Sequence, residues 1–545
     1  METKRAGLGG ITYAHPAAFW FGIVAVTVGV LLHLPMYLGA AEMGYHLAGM
    51  PISAGMLLGM FLILVGLAAT TYGLFPRLGQ VSRGYVARIR VKALDDAPIK
   101  AAHVGLLLVM AAAVTIDVMK PTTLAFVVPG MAEEYGLRSP VNPGGTVPVA
   151  LLPFAGITGT VIGSFLWGWF GDRIGRRSSI LLAGVIFIAT AICGAMPGYI
   201  WNFVMCFIMG LGVGGMLPIT FALMAEAIPA RHRGWLMVLI GGDVAGAYII
   251  TSWLAAEFVP TFGWRFLWLI GAPTGVVLIL LNRWIPESPR FLLAQGREDE
   301  ARAVMERYGA TVVETDRSEL QVERHVKSRY TQLFAGPFLG PTTVILFLAL
   351  GVGVVSFGFQ LWIPSNLQAL GMDEVTTDRL LRDSALIGFP LNFLIAWMYG
   401  FWSSKKTIIV LAAVTAAALF GFAVAGDSVA SNRVLLQILL IAPIWGISSV
   451  VAVLSSYSSE IYPTTIRSRG AGLAAGASKA AGVVMIALVL AAVAPPSISV
   501  TGVLGAIPLV LALLAMLVWG VETRRRGLEE ITAEELGASP RIATG

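Results

Sequence analysis

Four ionisable side chains fall inside long apolar stretches of the chain: Asp117 and Lys120, three residues apart, and Asp243 and Lys479. An ionised group at the centre of a bilayer costs about 2.5 to 3.5 kcal/mol on insertion scales, so residues of this kind are functional candidates by default. A buried carboxyl can take up a proton or contact a cation, and a buried ammonium can hold an anion. On one helix face at i and i+3, Asp117 and Lys120 can neutralise one another, or Asp117 can carry a proton. Asp243 lies nine residues past Gly234 and Lys479 nine past Gly470, about 13 Å along a helix in each case and close to mid-membrane. An acid and a base at matching depth can face one cavity. Between Phe357 and Asn366, Gln360 and Asn366 offer hydrogen bonds to a carboxylate or amide. Trp362 offers a ring face for stacking, or else an interfacial anchor beside Pro364.

The elements that position these residues are membrane helices. Of 545 residues, 57% are hydrophobic and 12% charged, where soluble chains are roughly one quarter charged. That composition excludes a soluble enzyme and a disordered chain. The apolar residues come in blocks of about 20, the length that crosses a bilayer as a helix, without the period-two alternation of barrel strands. Fourteen blocks are expected to span, centred near Val28, Leu62, Val114, Thr160, Phe187, Gly210, Ala247, Gly275, Gly351, Leu391, Val414, Pro443, Met485 and Leu511. Of the 37 Lys and Arg, 30 fall on one set of alternate connections, five on the other and two inside spans, which puts both termini on the cytoplasmic side. The first block follows Lys4 and Arg5 and is read as a retained helix, since a second block follows directly. Cys193 and Cys206 both lie in apolar blocks and no histidine has a ligand partner, so neither disulfide, metal nor cofactor is expected. No phosphate-binding G-x-x-x-x-G-K-[ST] loop is present to support ATP-driven chemistry.

Two stretches recur. Val128-Pro129 with Gly136 matches Ile363-Pro364 with Gly371 at an offset of 235, and Glu226, Pro229, Arg233 matches Glu460, Pro463, Arg467 at 234. A duplicated six-helix bundle explains both. The expected organisation is an extra N-terminal helix pair (1–76), a basic cytoplasmic linker (77–100), a first six-helix half (101–285), a cytoplasmic loop with amphipathic helices (286–340), a second six-helix half (341–520) and a cytoplasmic tail (521–545).

Gly168-Trp-Phe-Gly-Asp172-Arg173-Ile-Gly175-Arg176-Arg177 resembles the G-x-x-x-D-R-x-G-R-R signature that major facilitator proteins carry between core helices two and three. Pro286-Glu287-Ser288-Pro289-Arg290 with Gly296-Arg297, and the tail from Glu522 to Ile531, resemble motifs of the sugar porter and organic ion transporter branch. The resemblance covers most of the chain beyond residue 100 and implies an all-α polytopic membrane protein with the major facilitator fold, fourteen helices including the extra pair. It departs from the pattern where the second-half signature is reduced to Gly400–Lys406 without an acid, and where Cys206 stands at a position that many relatives fill with arginine. Ala477-Ser478-Lys479-Ala480-Ala481-Gly482 is similar to the stretch in which organic anion transporters place a substrate-binding arginine. Trp362 and Pro364 match the W-x-P of organic ion and aromatic-acid symporters.

The resemblance implies a secondary transporter of the cytoplasmic membrane and not an enzyme, moving a small organic anion by alternating access with protons. A sugar, polyol or organic cation transporter, or a non-transporting membrane sensor, is the alternative. Gly168, Asp172, Arg173, Gly175, Arg176, Arg177, Glu226, Arg233, Glu287, Glu460, Arg467 and Glu522 are expected to form a cytoplasmic gate. Its partners are then a small-molecule substrate, protons and the lipid bilayer, with no nucleic acid and a monomeric state.

Overall fold

A computed structural model describes residues 14–75, 97–139, 142–310, 330–462, 467–492 and 497–524. Among these the chain is helical, with one isolated bridge between Arg138 and Pro148. Thirteen helical stretches are long and apolar enough to cross a membrane, and one further apolar helix is shorter. In chain order they are α1 (Pro16–Gly39), α2 (Ala54–Leu74), α3 (Ala101–Glu134), α4 (Leu151–Ile174), α5 (Arg176–Ala195), α6 (Tyr199–Phe221), α7 (Arg231–Phe262), α8 (Arg265–Trp284), α9 (Gly336–Ala369), α10 (Glu374–Trp402), α11 (Ser404–Ser431), α12 (Arg433–Glu460), α13 (Arg469–Ala491) and α14 (Ile498–Trp519). Thirteen of the fourteen expected spans thus reach full length. The apolar part of α4, Leu151–Trp167, is the shorter one.

Hydrocarbon offers no hydrogen bonds, so each span satisfies its backbone internally and its ends need caps. Ser53, Asp373, Ser403, Asn432 and Ser497 each accept a backbone N–H three residues on, at the starts of α2, α10, α11, α12 and α14. Phe61, Phe165, Val424 and Val518 are among the large apolar side chains most exposed, which suits surfaces facing lipid. Two short helices, Pro289–Ala294 and Glu298–Arg307, follow α8. The second of them is amphipathic, burying Ala301 and Met305.

The helices form two compact units, Met1–Gly136 with Leu151–Pro229 and Glu257–Leu320, and Leu137–Ala150 with Ala230–Ala256 and Gln321–Gly545. In the first unit the extra pair is a glycine-lined hairpin. Gly22 of α1 meets Gly66 of α2, Gly29 meets Gly59 and Gly73 meets Phe19, the glycines of each helix lying at intervals of seven, and a Cβ on Gly29 would lie 2.6 Å from the Gly59 carbonyl oxygen. Such backbone approach replaces the hydrophobic drive that lipid cannot supply. The hairpin packs on α5, and Tyr37 donates to the Phe262 carbonyl at 2.7 Å.

In the second unit, α9 packs on α13 and α14, and α11 on α12 and α14. The inner part of α7 packs on α10 and α12. Helix α7 is interrupted between Gly241 and Val244. Wider π turns interrupt α9 at Val355–Gln360 and α10 at Met398–Trp402, a departure that in α-helices concentrates at functional positions.

Candidate functional site

The intramembrane charges divide between the units. In the first, Asp117 is fully buried on α3 and Lys120 is 5% exposed. The Lys120 ammonium lies 3.5 Å from the Phe187 carbonyl oxygen and 5.5 Å from the centre of the Phe187 ring. It fills the space that a Cβ on Gly271 would need. The expected neutralising pair is not formed: no ion pair joins Asp117 to Lys120 among the described residues. Positions i and i+3 are some 60° apart around the axis, enough for the lysine to turn toward α5 and α8, where a carbonyl and an aromatic face receive it.

Asp243 and Lys479 both belong to the second unit. Asp243 is half-buried at the break in α7, where Gly246 leaves room for its carboxylate: a Cβ there would lie 2.8 Å from Oδ1. Across from the break stands Asn392 of α10, 3% exposed, whose Oδ1 accepts from Ser449 Oγ at 2.8 Å. A Cβ on Gly242 would come within 2.9 Å of the Asn392 amide carbon. Asn392 was not among the expected site residues; an asparagine inside an apolar block was the available signal. Lys479 is half-buried on α13, and its neighbours Ser478, Ala481 and Gly482 pack against Gly353 and Phe357 of α9. That brings the lysine-bearing turn beside the π turn that precedes Gln360. Gln360 Nε2 donates to the Pro443 and Ile444 carbonyls of α12 at 3.3 and 3.4 Å. Trp362 is fully buried and Asn366 is 7% exposed.

The expected cytoplasmic glutamates meet backbone N–H groups and hydroxyls as well as arginine. Gly175, at φ +91°, opens α5 in a conformation suited to glycine. The Glu287 carboxylate sits against it and accepts the backbone N–H groups of Arg176 (2.9 Å), Arg177 (3.4 Å) and Ser288 (2.9 Å). Burial pushes the Glu287 carboxyl up from its ordinary value, opposed by these N–H donors and by the Arg176 charge. Glu226 pairs with Arg176 at 2.8 Å and accepts from Ser288 Oγ, while Arg177 Nε donates to Asn282.

In the second unit, Glu460 accepts from Tyr399 and Thr523, each at 2.7 Å, and lies against Gly234, the residue after Arg233. Glu522 accepts from Ser403 Oγ, from the Ser404 N–H at 2.9 Å and hydroxyl at 2.6 Å, and from the Arg524 N–H at 3.1 Å. Burial raises the Glu522 pKa, but these donors outweigh it and hold the carboxyl below its ordinary value. Gly168, Asp172, Arg173 and Arg467 sit on helical backbone, and the side chains of the last three lie outside the described residues.

One cluster was not foreseen. Glu134 of α3 and Arg265 of α8, 2% and 0% exposed, form a two-point ion pair, Nη2 to Oε1 at 2.7 Å and Nε to Oε2 at 3.2 Å. Glu134 also accepts from the Leu47 and Ala48 N–H groups and from Trp264 Nε1. Arg265 reaches the Met196 carbonyl and the Tyr135 hydroxyl. This carboxylate ties the connection between α1 and α2 to the first unit.

Residues 146–534 match the family model described as Sugar (and other) transporter. The chain is 27% identical over 400 residues to a niacin transporter of Acinetobacter baylyi, covering 72% of this chain and 88% of that one. It is 25% identical over 404 residues to the 4-hydroxybenzoate transporter of the same organism, covering 70% and 83%. Its fold is similar to that of the proton:xylose symporter XylE of Escherichia coli, with a TM-score of 0.63, 19% identity and coverage of 79% and 99%. With a helical membrane architecture and a family match over most of its length, the chain belongs to the sugar (and other) transporter family of the major facilitator superfamily and is a multi-pass secondary transporter, not an enzyme.

Proposed function

We propose that the protein carries a small carboxylate-bearing metabolite across the cytoplasmic membrane together with protons, by alternating access. The observation that carries this reading is Lys479. It stands twelve residues into the helix Arg467–Ala492, about 18 Å along its axis, at a depth where a charge that is not fully buried needs a polar space. Trp362 supplies an aromatic face and Gln360 and Asn366 supply amides in the same unit. The compounds in the names of the two relatives above, niacin and 4-hydroxybenzoate, are both aromatic carboxylic acids. Asp117 is the proposed proton carrier. Asp172, Arg173 and Arg467, with Glu226, Glu287, Glu460 and Glu522, are proposed to latch the cytoplasmic side.

The test is uptake into proteoliposomes under an inside-alkaline pH gradient, with labelled nicotinate, 4-hydroxybenzoate, xylose and choline in parallel. Gradient-dependent accumulation of a carboxylate is the expected result. Accumulation of xylose or choline with neither acid taken up would replace this reading with the sugar or organic cation alternative.

A further inference from the structure

Asp378 lies in the stretch from Asp373 to Asp383 that opens α10, on the side assigned to the outer face by the distribution of Lys and Arg. It is five residues past the cap residue Asp373, about 7 Å along the helix. Yet it is only 2% exposed, on the face it shares with Thr377, Leu381, Ser384 and Ala385, turned into the second unit. Among the described residues Asp378 makes no hydrogen bond and no ion pair. Arg382, one turn on, is engaged by Asp383 at 2.6 Å.

The adjoining end of α9 and the start of α10 hold buried polar groups that are unsatisfied. Thr377 Oγ1, Ser365 Oγ, Trp362 Nε1 and Gln368 Nε2 are buried without a hydrogen-bond partner among the described residues. The connection from Leu370 to Asp373 is short, and the Met372 N–H returns to the Leu367 carbonyl at 3.2 Å. The last turns of α9 therefore pack on the first turns of α10, gathering these groups at one end of the unit.

The titratable groups around Asp378 are few. Tyr248 of α7 is within electrostatic reach, as is Glu374 one turn earlier on α10. Asp243 lies five residues from Tyr248 on the inner side. The packed end of α9 carries no charge, and α12 carries the exposed Arg433 at its outer start and nothing titratable before Tyr457. An ionised carboxylate buried without a cation or donors is costly enough that the group takes a proton instead.

We propose that Asp378 is a proton-binding carboxyl reached from the outer side, and that it loads the external proton used in transport. In that step hydronium at the outer face gives its proton to one Oδ of Asp378: one O–H bond forms, the hydronium bond breaks and water leaves. Unlike Asp117, which lies deep in α3 of the first unit, this carboxyl stands close to the outer surface in the second. The proposal rests on the proton-coupled reading above.

The experiment is infrared difference spectroscopy on uniformly oriented proteoliposomes of the full chain, with external pH stepped and internal pH buffered. The wild type is expected to show a protonated-carboxyl stretch that responds to the external step. It should be lost in Asp378→Asn, retained at a shifted frequency in Asp378→Glu, and unchanged in Asp117→Asn. In the same vesicles, Asp378→Asn should flatten the dependence of nicotinate uptake on external pH. An Asp378→Asn difference spectrum that superimposes on the wild type overturns the proposal. Failure of the coupling itself looks different: wild-type vesicles would then ignore the pH gradient while the Asp378 band still responded.

Discussion

Glu287 and Glu522, 235 residues apart, make the same contact in their own units: one accepts the Arg176 N–H and the other the Ser404 N–H, each at 2.9 Å and each at the first residue of a spanning helix. The offset equals that of the internal repeat. A carboxylate at a helix N-terminus satisfies an orphan donor and meets the positive end of the dipole. The repeat has therefore preserved a capping device, although the second-half loop lost its acid.

The two caps titrate with opposite sign. Glu522 is held below its ordinary value of 4.5, so its contribution is complete above the unfolded-state pKa and is lost as pH falls through the folded value. Glu287 is raised by burial, so its protonation favours the fold at low pH, and that gain is lost as pH rises through its folded value. Glu522→Gln should then lower stability by about 1 to 2 kcal/mol at neutral pH, the usual worth of a cap, with the gap closing on acidification. Glu287→Gln should cost less at neutral pH, because it removes a buried charge while keeping an acceptor for Arg176. Thermal unfolding of the purified protein at several pH values checks both, and equal losses with no pH dependence would contradict the assignment.

A second prediction concerns the extra helix pair. Removing one partner of a buried ion pair costs roughly 3 to 5 kcal/mol, so Arg265→Ala should lower the unfolding temperature markedly. Glu134→Ala should in addition free the Leu47 and Ala48 N–H groups, which both bond this carboxylate. Hydrogen exchange in the connection between α1 and α2 should accelerate in Glu134→Ala. Unchanged protection there would show that the hairpin is held by other contacts.

Spans, their order and the family were legible because each rests on a local signal: blocks of apolar residues, basic residues on alternate connections, and contiguous motifs such as Gly168–Arg177. What was not legible depends on direction around a helix. Asp117 and Lys120 share a stretch of α3, but only packing shows that the lysine turns toward Phe187 and Gly271. Arg265 reads as an external basic residue until Glu134, 131 positions away, is brought to it. Glu287 and Glu522 were expected as arginine partners, yet Glu287 accepts from backbone N–H groups, which no residue type advertises, and Glu522 from the Ser403 and Ser404 hydroxyls as well. Asn392 and Asp378 carry too little sequence contrast to stand out: one is neutral, and the other sits among the charges that open α10.

Lys120 turns to the Phe187 carbonyl, so distinct roles are expected for it and Asp117. Asp117→Asn should abolish pH-driven accumulation while leaving counterflow exchange of substrate largely intact, since exchange needs no net proton movement. Lys120→Met should lower stability through the lost contact with the Phe187 carbonyl, yet keep the pH dependence of uptake. Both variants are measured in the same vesicles under gradient and exchange conditions. Loss of coupling in Lys120→Met with normal folding would restore the pair as the coupling element.

The most direct measurement of the central claim is equilibrium binding of labelled nicotinate to purified wild type, Lys479→Ala and Lys479→Arg. An anionic substrate that depends on the ammonium loses a desolvated charge partner in the alanine variant, which costs about 3 to 5 kcal/mol for buried pairs and well over tenfold in affinity. The account predicts that weakening for Lys479→Ala, with much of the affinity retained in Lys479→Arg, where charge and reach survive. A Lys479→Ala protein that folds normally and binds nicotinate as tightly as the wild type would contradict it.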